Sequence, residues 1–231
     1  MKIHPRSLSI GVVLIVGALL TILIITGYGR GENYEKHQLS CFDGNQRDSV
    51  VISEIYALKP TYIRCFDTII FPMDNPMRRH AFKGMEFYLS EKQAGIWYNK
   101  HQLTMLANHY QSYLAGYPDH NMRHKIRVIK STEPYAALKF EGTNGHNYGI
   151  TTDSLIKKLE YWNNNTLKML VVGAQFDYVQ LRIIQEPTDW EAFAKEVYAF
   201  CPDAVDQNAN SDFKSFLSTM EASKSLVLWW D

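Results

Sequence analysis

The chain has 231 residues and a mass of 26.7 kDa, and its 24 Lys and Arg residues balance 24 Asp and Glu residues. Hydrophobic residues make up 46% and charged residues 21% of it, which is typical of a packed globular protein and excludes a disordered chain. Zero net charge removes whole-chain electrostatics as a reason to bind nucleic acid. Three cysteines are too few for a disulfide-rich scaffold or a four-cysteine zinc site.

The N-terminal segment has the composition of a membrane anchor. Residues 7–29 contain no charged side chain, and residues 8–26 are nearly all aliphatic. About 20 such residues in a helix cross a hydrocarbon core of ~30 Å. The run is longer than the apolar core of a cleaved signal peptide, and residues 27–31 offer no clean small-x-small cleavage site with a preceding break. We therefore expect an uncleaved single-pass transmembrane helix, with cleaved export as the alternative.

The charges beside this segment indicate its orientation. Lys2 and Arg6 precede it, whereas Arg30 and Lys36 follow it, so the bias in basic residues is slight. A short N-terminal tail before a large C-terminal domain favours the tail on the cytoplasmic side. The domain after the linker is then expected outside the cytoplasm.

Beyond the linker, residues 41–131 are predicted to combine strands with one helix. Runs rich in β-branched and aromatic residues predict strands at 50–55, 62–71, 85–89 and 125–130. Pro72 and Pro76 end the second strand. Ser90 and Gln93 match a capping box, and helical spacing of apolar residues extends this helix to Leu114. The apolar positions of the helix are Ile96, Leu103, Leu106, Ala107, Tyr110, Tyr113 and Leu114.

The C-terminal 100 residues are predicted to contain four helices and three strands. The helices are expected at 135–141, 153–162 and 189–200 and after Ser211, and the strands at 167–172, 178–184 and 225–231. Gly142 closes the first helix and Pro202 ends the third. Since strands and helices do not alternate as βαβ units, the fold class is α+β, preceded by the transmembrane helix.

Six stretches of the C-terminal part carry a family resemblance. They are Pro134–Leu138, Gly142–Tyr148, Thr152–Ile156, Asp189–Phe193, Tyr198–Gln207 and Leu228–Asp231. In these stretches, from Thr132 to the end, the chain resembles an uncharacterised bacterial family called domain of unknown function 4253. The resemblance implies a domain boundary near Thr132 and a bacterial source, and it implies no activity.

The expected organisation follows from the anchor and this resemblance. It comprises a cytoplasmic tail (1–6), a transmembrane anchor (7–29), a linker (30–40), an N-terminal α+β part (41–131) and the family-like domain (132–231). The protein is expected in the bacterial inner (plasma) membrane, with its C-terminal domain outside the cytoplasm. Expected partners are the membrane, through residues 7–29, and a second protein; nucleic acid is not expected.

The cysteines separate into two groups. Cys41 and Cys65 would lie in a compartment that permits disulfides, so they are candidates for a bridge, and two unpaired thiols are the alternative. Cys201 follows an apolar helix and is interpreted as a small buried hydrophobe. A nucleophilic role for Cys201 would require a base such as His146.

No pattern in the sequence indicates a metal or a cofactor. His120 and His124 are four residues apart, but Pro118 and Asn121 predict a loop there, where that spacing has no meaning for a shared ion. Glycine-rich phosphate loops, Gly-x-Ser-x-Gly elbows and dinucleotide fingerprints are missing from the sequence. We therefore expect no cofactor and no metal site, and the catalytic residues, if any, stay unknown.

The sequence does nominate one binding surface. Nine basic residues against three acidic ones lie between residues 75 and 130, and eight acidic against three basic ones between 188 and 231. In the acidic part, the candidate surface residues are Asp203, Asp206, Trp229, Trp230 and Asp231. Strand alternation sends one of the two indoles to the core and the other to the surface. An aromatic ring among carboxylates suits a basic partner.

Two functions are compatible with this surface. The first is a membrane-anchored extracytoplasmic binding or interaction protein, and we prefer it. The alternative is a hydrolase in which Asp203 and Asp206 work with a divalent metal ion, since carboxylates three residues apart can serve acid–base or metal roles. The same aspartates could equally cap a turn and a helix.

Overall fold

The computed structural model describes residues 41–70, 80–207 and 209–230. The predictions for residues 1–40, which include the anchor and the linker, lie outside these residues. So do the predictions for Pro72, Pro76 and Asp231. Among the helices of the described residues, none has the length and apolar character needed to cross a membrane.

The N-terminal part combines short helices with four strands. In chain order its elements are α1 (Gln46–Ala57), β1 (Thr61–Ile70), β2 (His80–Ser90), α2 (Glu91–Ile96), a π-helix (Trp97–His101), α3 (Gln102–Ala107), β3 (Tyr110–Leu114) and β4 (Arg123–Lys130).

The C-terminal part is richer in helix. Its elements are α4 (Ala136–Glu141), a 3₁₀-helix (His146–Tyr148), α5 (Thr152–Asn165), β5 (Lys168–Ala174), β6 (Tyr178–Gln185), α6 (Trp190–Phe200), α7 (Asp203–Asp206), α8 (Phe213–Ser223) and β7 (Ser225–Trp229). The mixed α+β fold expected from the sequence is confirmed.

The described strands form one seven-stranded sheet in the order β1-β2-β4-β3-β5-β6-β7. Every pairing is antiparallel except that of β3 with β5, which is parallel through Leu114 and Gly173. This seam joins the strands of the N-terminal part to those of the C-terminal part. The sheet therefore runs continuously through both parts of the chain.

Two hydrophobic cores flank the sheet. The first packs α1, α2, the π-helix and α3 against one face of β2 and β4, with Trp97 and Phe87 fully buried. The second lies beneath the C-terminal helices and includes Trp162 and Phe193, whose rings meet edge to face with centroids 5.4 Å apart. The opposite face of β2 and β4 lies outside the first core, and it carries polar side chains.

The predicted strand at 50–55 is wrong, because this segment lies in helix α1. Asn45 and Asp48 form a capping box in which each side chain accepts a hydrogen bond from the other's backbone N–H. Val51 and Ile55, four residues apart, are both buried against the sheet. Packing of this face outweighs the preference of β-branched residues for strands.

The long helix predicted from Ser90 to Leu114 is correct only in its first part. The capping box of Ser90 and Gln93 is confirmed. The helix ends at Ala107, and residues 110–114 form strand β3 beside β4. Tyr110 and Tyr113 are three residues apart, which mimics helical spacing, but in the strand they point to opposite faces.

The predicted apolar face of that helix is also wrong. Leu103 and Leu106 are exposed, whereas Trp97 and Met105 are buried. The π-helix at Trp97–His101 adds a residue to one turn, which shifts every later position around the helix axis. A strict 3.6-residue period cannot anticipate this shift.

The remaining predicted elements agree closely with the structure. Strands β1, β4, β5, β6 and β7 and helices α4, α5, α6 and α8 are present within a few residues of their expected bounds. Gly142 ends α4 in the left-handed region at φ 64°, as its position after the helix predicts. Thr151, Asp189 and Asp212 are the N-caps of α5, α6 and α8.

Candidate functional site

A row of polar side chains crosses four neighbouring strands on the sheet face opposite the first core. Strand register places Arg64 opposite Glu86, Glu86 opposite Arg127, and Arg127 opposite Tyr113. Glu86 accepts Arg64 Nη2 at 2.8 Å on one oxygen and Arg127 Nη2 at 2.9 Å on the other. We call Arg64, Glu86, Arg127 and Tyr113 the polar row.

Glu141, on helix α4, contacts two members of the polar row. It is the last residue of α4, and Gly142 turns the chain away directly after it. Its carboxylate accepts the hydroxyl of Tyr113 at 2.7 Å and forms an ion pair with Nη1 of Arg127. The ring of Phe140 lies 4.8 Å from the Arg127 guanidinium carbon, so the cation also has an aromatic contact. Arg127 is thus held between two carboxylates.

These charges are largely removed from water. The side chains of Glu86, Arg127 and Glu141 are 6%, 12% and 17% exposed. Burial and the neighbouring Glu141 carboxylate raise the pKa of Tyr113 well above its ordinary value, so its hydroxyl stays a donor. Arg127 Nε is buried and has no hydrogen-bond partner in the described structure. Buried donors nearly always find an acceptor, so Arg127 Nε is an exception among the buried polar atoms of the described residues.

A polar cleft of about 430 Å³ lies beside the polar row. Tyr88 and Lys125 are opposite each other in the register of β2 and β4, and each is two residues from a member of the row, on the same face. The cleft is lined by Tyr88, Ala115, Gly116, Tyr117, Asp119, Lys125, Arg127, Glu141, Gln175 and Phe176. We refer to this pocket as the cleft. Its volume falls within the range of small-ligand sites.

One wall of the cleft is the loop between β3 and β4. Asp119 accepts hydrogen bonds from the backbone N–H groups of Asn121 and Arg123 and from the Arg123 guanidinium. The hydrogen bonds from Arg123 lower the pKa of Asp119 to about 2, so this carboxylate is charged at neutral pH. The Arg123 guanidinium carbon lies 5.3 Å from the centre of the Tyr88 ring. The loop is therefore pinned to the strand beside it.

The opposite wall is held by the family-like segment at Gly142–Tyr148. Thr143 Oγ1 donates to the carbonyl of Gln175 at 2.6 Å, and the backbone N–H of Asn144 donates to the carbonyl of Phe176 at 2.8 Å. Thr143 is fully buried, so its hydrogen bond is shielded from water. These two contacts fix the backbone that carries Gln175 and Phe176 into the cleft.

The same segment meets the other resembling stretches at a second cluster. Tyr148 donates its hydroxyl to Oδ1 of Asp203 at 2.8 Å. A Cβ on Gly145 would lie 2.8 Å from the Trp230 indole, so only glycine allows the ring this close. Cys201 Sγ contacts the carbonyl of Trp229 at 3.1 Å. We call Gly145, Tyr148, Cys201, Asp203 and Trp230 the motif cluster.

The structure places the residues predicted as a binding surface in different environments. Asp203 and Trp230 are buried, Trp229 is half-buried, and Asp206 is exposed. Asp206 accepts the hydroxyl of Tyr198 at 2.9 Å. None of these four residues lines the cleft. Trp230 occupies the core position that strand alternation reserves for one of the two indoles.

The cysteines also have distinct environments. Cys41 and Cys65 are joined as a disulfide, with Cα atoms 5.3 Å apart. Cys201 is fully buried, and burial raises the pKa of its thiol to about 11. A thiol with a raised pKa is a poor nucleophile at neutral pH, which supports its interpretation as a packed hydrophobe. His146 is exposed on the 3₁₀-helix.

The histidines show no sign of a shared ion in the parts of the chain that are described. His120 contacts the side chain of Asn121 at 2.9 Å, in the loop that the sequence predicts. Across residues 41–70, 80–207 and 209–230, no group of three or more His, Cys, Asp or Glu side chains is placed to hold a metal ion.

Comparison with known families identifies the C-terminal part. Residues 125–231 match the family model described as Domain of unknown function (DUF4253). This part of the chain is similar to that family. Its match begins at Lys125, inside β4, and so includes Lys125, Arg127, Glu141, Gln175 and Phe176 of the cleft. Comparisons with curated proteins and with solved structures gave no significant match.

The sequence alone does not predict the cleft. Arg127 and Glu86 belong to the charged stretch between residues 75 and 130, and Tyr88 belongs to a short predicted strand. Alternation in β4 offered a signal, because Ile126 and Val128 are apolar while Lys125 and Arg127 are charged. A strand with one charged face requires partners for those charges, but the register that supplies Glu86 is not visible in the sequence.

Removing the Tyr148 hydroxyl tests whether the motif cluster is a folding element. In Tyr148→Phe the buried Asp203 carboxylate loses a donor, so we expect a loss of about 1–2 kcal/mol in the free energy of unfolding. Tyr198→Phe is the matched control, because its hydroxyl bonds the exposed Asp206, and we expect a loss of at most about 0.5 kcal/mol. Urea denaturation followed by circular dichroism measures both. Equal losses in the two variants would show that Asp203 does not depend on Tyr148.

Proposed function

We propose that the protein is a membrane-anchored, extracytoplasmic binding protein that holds its ligand in the cleft. Residues 7–29 would tether the domain to the bacterial inner membrane, and residues 41–231 would stand outside the cytoplasm. The cleft unites a concave shape with charged groups that are fixed in place by the sheet. Sites of this kind, with a few well-placed polar groups in a hollow, are typical of ligand binding.

The observation that carries this proposal is that ion pairs hold Arg127 in place at the cleft. Its guanidinium is clamped by Glu86 and Glu141, so it does not move to meet a ligand. Arg127 also lines the cleft. A guanidinium that is fixed at the wall of a polar hollow is a preorganised group for a polar ligand.

Two features support a location of the domain outside the cytoplasm. The uncharged run at residues 7–29 has the length of a membrane-spanning helix. The disulfide between Cys41 and Cys65 suits an oxidising compartment, since thiols in the bacterial cytoplasm are kept reduced. Both features favour a domain exported across the inner membrane.

Protease treatment of intact spheroplasts tests the orientation. Because the domain is proposed to lie outside the cytoplasm, added protease should digest the region after Glu32 and leave a short protected fragment. The measurement is an immunoblot against an N-terminal tag, with a cytoplasmic protein as the control for intact cells.

A second readout on the same sample is peptide mapping without reductant. It should join Cys41 to Cys65 and leave Cys201 as a free thiol. A domain that survives until the cells are lysed, with Cys41 and Cys65 both alkylated before reduction, would place it in the cytoplasm and contradict the proposed location.

Hydrogen–deuterium exchange tests whether the cleft binds a ligand at all. The full chain in nanodiscs is compared with and without the low-molecular-weight fraction of an envelope extract from the host. We expect slower exchange in the two walls, residues 114–119 and 174–177, because a bound ligand restrains both of them.

Helix α2 serves as the internal control, since none of its residues lines the cleft. Unchanged exchange in both walls, or a change of the same size in α2, would contradict binding in the cleft.

A further inference from the structure

The cleft has a set of polar groups that the protein itself leaves unused. Among the described residues, the Lys125 ammonium, the Gln175 amide and the hydroxyls of Tyr88 and Tyr117 form no side-chain hydrogen bond or ion pair. The Lys125 ammonium lies 5.9 Å from the centre of the Tyr88 ring. These groups are the ones that a ligand can engage without breaking an existing contact.

When the ion pairs are set aside, the residues that line the cleft keep one charge, and it is positive. Asp119 is paired with Arg123, and Glu141 is paired with Arg127. Lys125 therefore remains as the unbalanced charge of the cleft. A cation in a partly enclosed site attracts an anionic group more strongly than it does in bulk water, because the surrounding protein lowers the local dielectric constant.

Two exposed aromatic residues line the cleft. Tyr117 is 68% exposed and Phe176 is 53% exposed. They belong to opposite walls, one in the β3–β4 loop and one in the β5–β6 turn. Exposed rings at a polar hollow offer flat apolar contact to a ligand that also carries a polar group.

We propose that the cleft takes a small organic anion, whose carboxylate meets the Lys125 ammonium and whose planar body lies between Tyr117 and Phe176. This ligand class rests on the proposed function of the cleft as a binding site. The Gln175 amide and the tyrosine hydroxyls supply neutral hydrogen bonds around the carboxylate. Lys125 sets the preference for an anion, and the two rings set the preference for a flat body.

A matched pair of probes tests the charge preference. Phenylacetate and phenylacetamide share a ring and differ in the charge of one group. Titration of each into the full chain in nanodiscs, followed by isothermal calorimetry, should give an affinity for the acid about tenfold higher than for the amide, or about 1.4 kcal/mol. Equal affinities, or no binding of either probe, would overturn the proposed ligand class.

Three variants locate this preference at Lys125. Lys125→Gln should lower the affinity for phenylacetate to that for phenylacetamide, whereas Lys125→Arg keeps the charge and should keep the preference. Lys92→Gln is the control, because Lys92 is an exposed lysine of α2 away from the cleft, and it should change nothing. A preference that persists in Lys125→Gln would overturn the assignment.

The two proposals fail in different ways. Wall protection by the envelope fraction, together with no preference for phenylacetate, would overturn the anionic class and leave the binding function standing. Unchanged exchange in the walls together with no binding of either probe would overturn both.

Discussion

The structure around the cleft depends on one buried cation. Arg127 lies in the middle of β4 with only 12% of its side chain exposed, and its charge is balanced by Glu86 from β2 and Glu141 from α4. Removing a charge from water costs several kcal/mol, and only well-placed partners compensate for this cost. The contacts of Arg127 therefore constrain the positions of two strands and a helix at once.

This constraint explains how the cleft keeps its shape. Glu141 can reach Arg127 only because Gly142 ends α4 at that point, and the next residues turn back to bond the carbonyls of Gln175 and Phe176. The polar row thus fixes Arg127 at the cleft, and the segment after Glu141 fixes one wall. Lys125, two residues before Arg127 on the same face, is carried into the cleft by the same strand.

The family match covers one side of the cleft. Lys125, Arg127, Glu141, Gln175 and Phe176 lie within the DUF4253 match, whereas the other side of the cleft comes from β2 and the β3–β4 loop, before the match begins. The matched residues therefore supply Lys125, Arg127 and Glu141, and the preceding segments supply Tyr88, Tyr117 and Asp119.

Much of the fold was predictable, because most elements follow local rules. Gly142 as a helix end and the capping box at Ser90 and Gln93 both depend on residues a few positions apart. The errors occur where contacts between residues far apart in the sequence determine the secondary structure. Val51 lies in a helix because it packs on the sheet.

The candidate site depends on contacts of the same distant kind. Glu86 and Arg127 meet through strand register across 41 residues, and Glu141 reaches Arg127 from a separate helix. No local spacing in the sequence reports either fact, so the cleft required the structure.

The central claim is that Arg127 and Glu141 act as one buried unit that holds the cleft. A double-mutant cycle with Arg127→Met, Glu141→Gln and the double variant measures this most directly, with unfolding followed in urea. The account predicts an interaction energy of about 1–3 kcal/mol. The exposed pair of Glu191 and Lys195 on α6, whose atoms are 2.6 Å apart, is the control and should give at most about 0.5 kcal/mol. Additive losses for Arg127 and Glu141, with no larger coupling than in the control pair, would contradict the account.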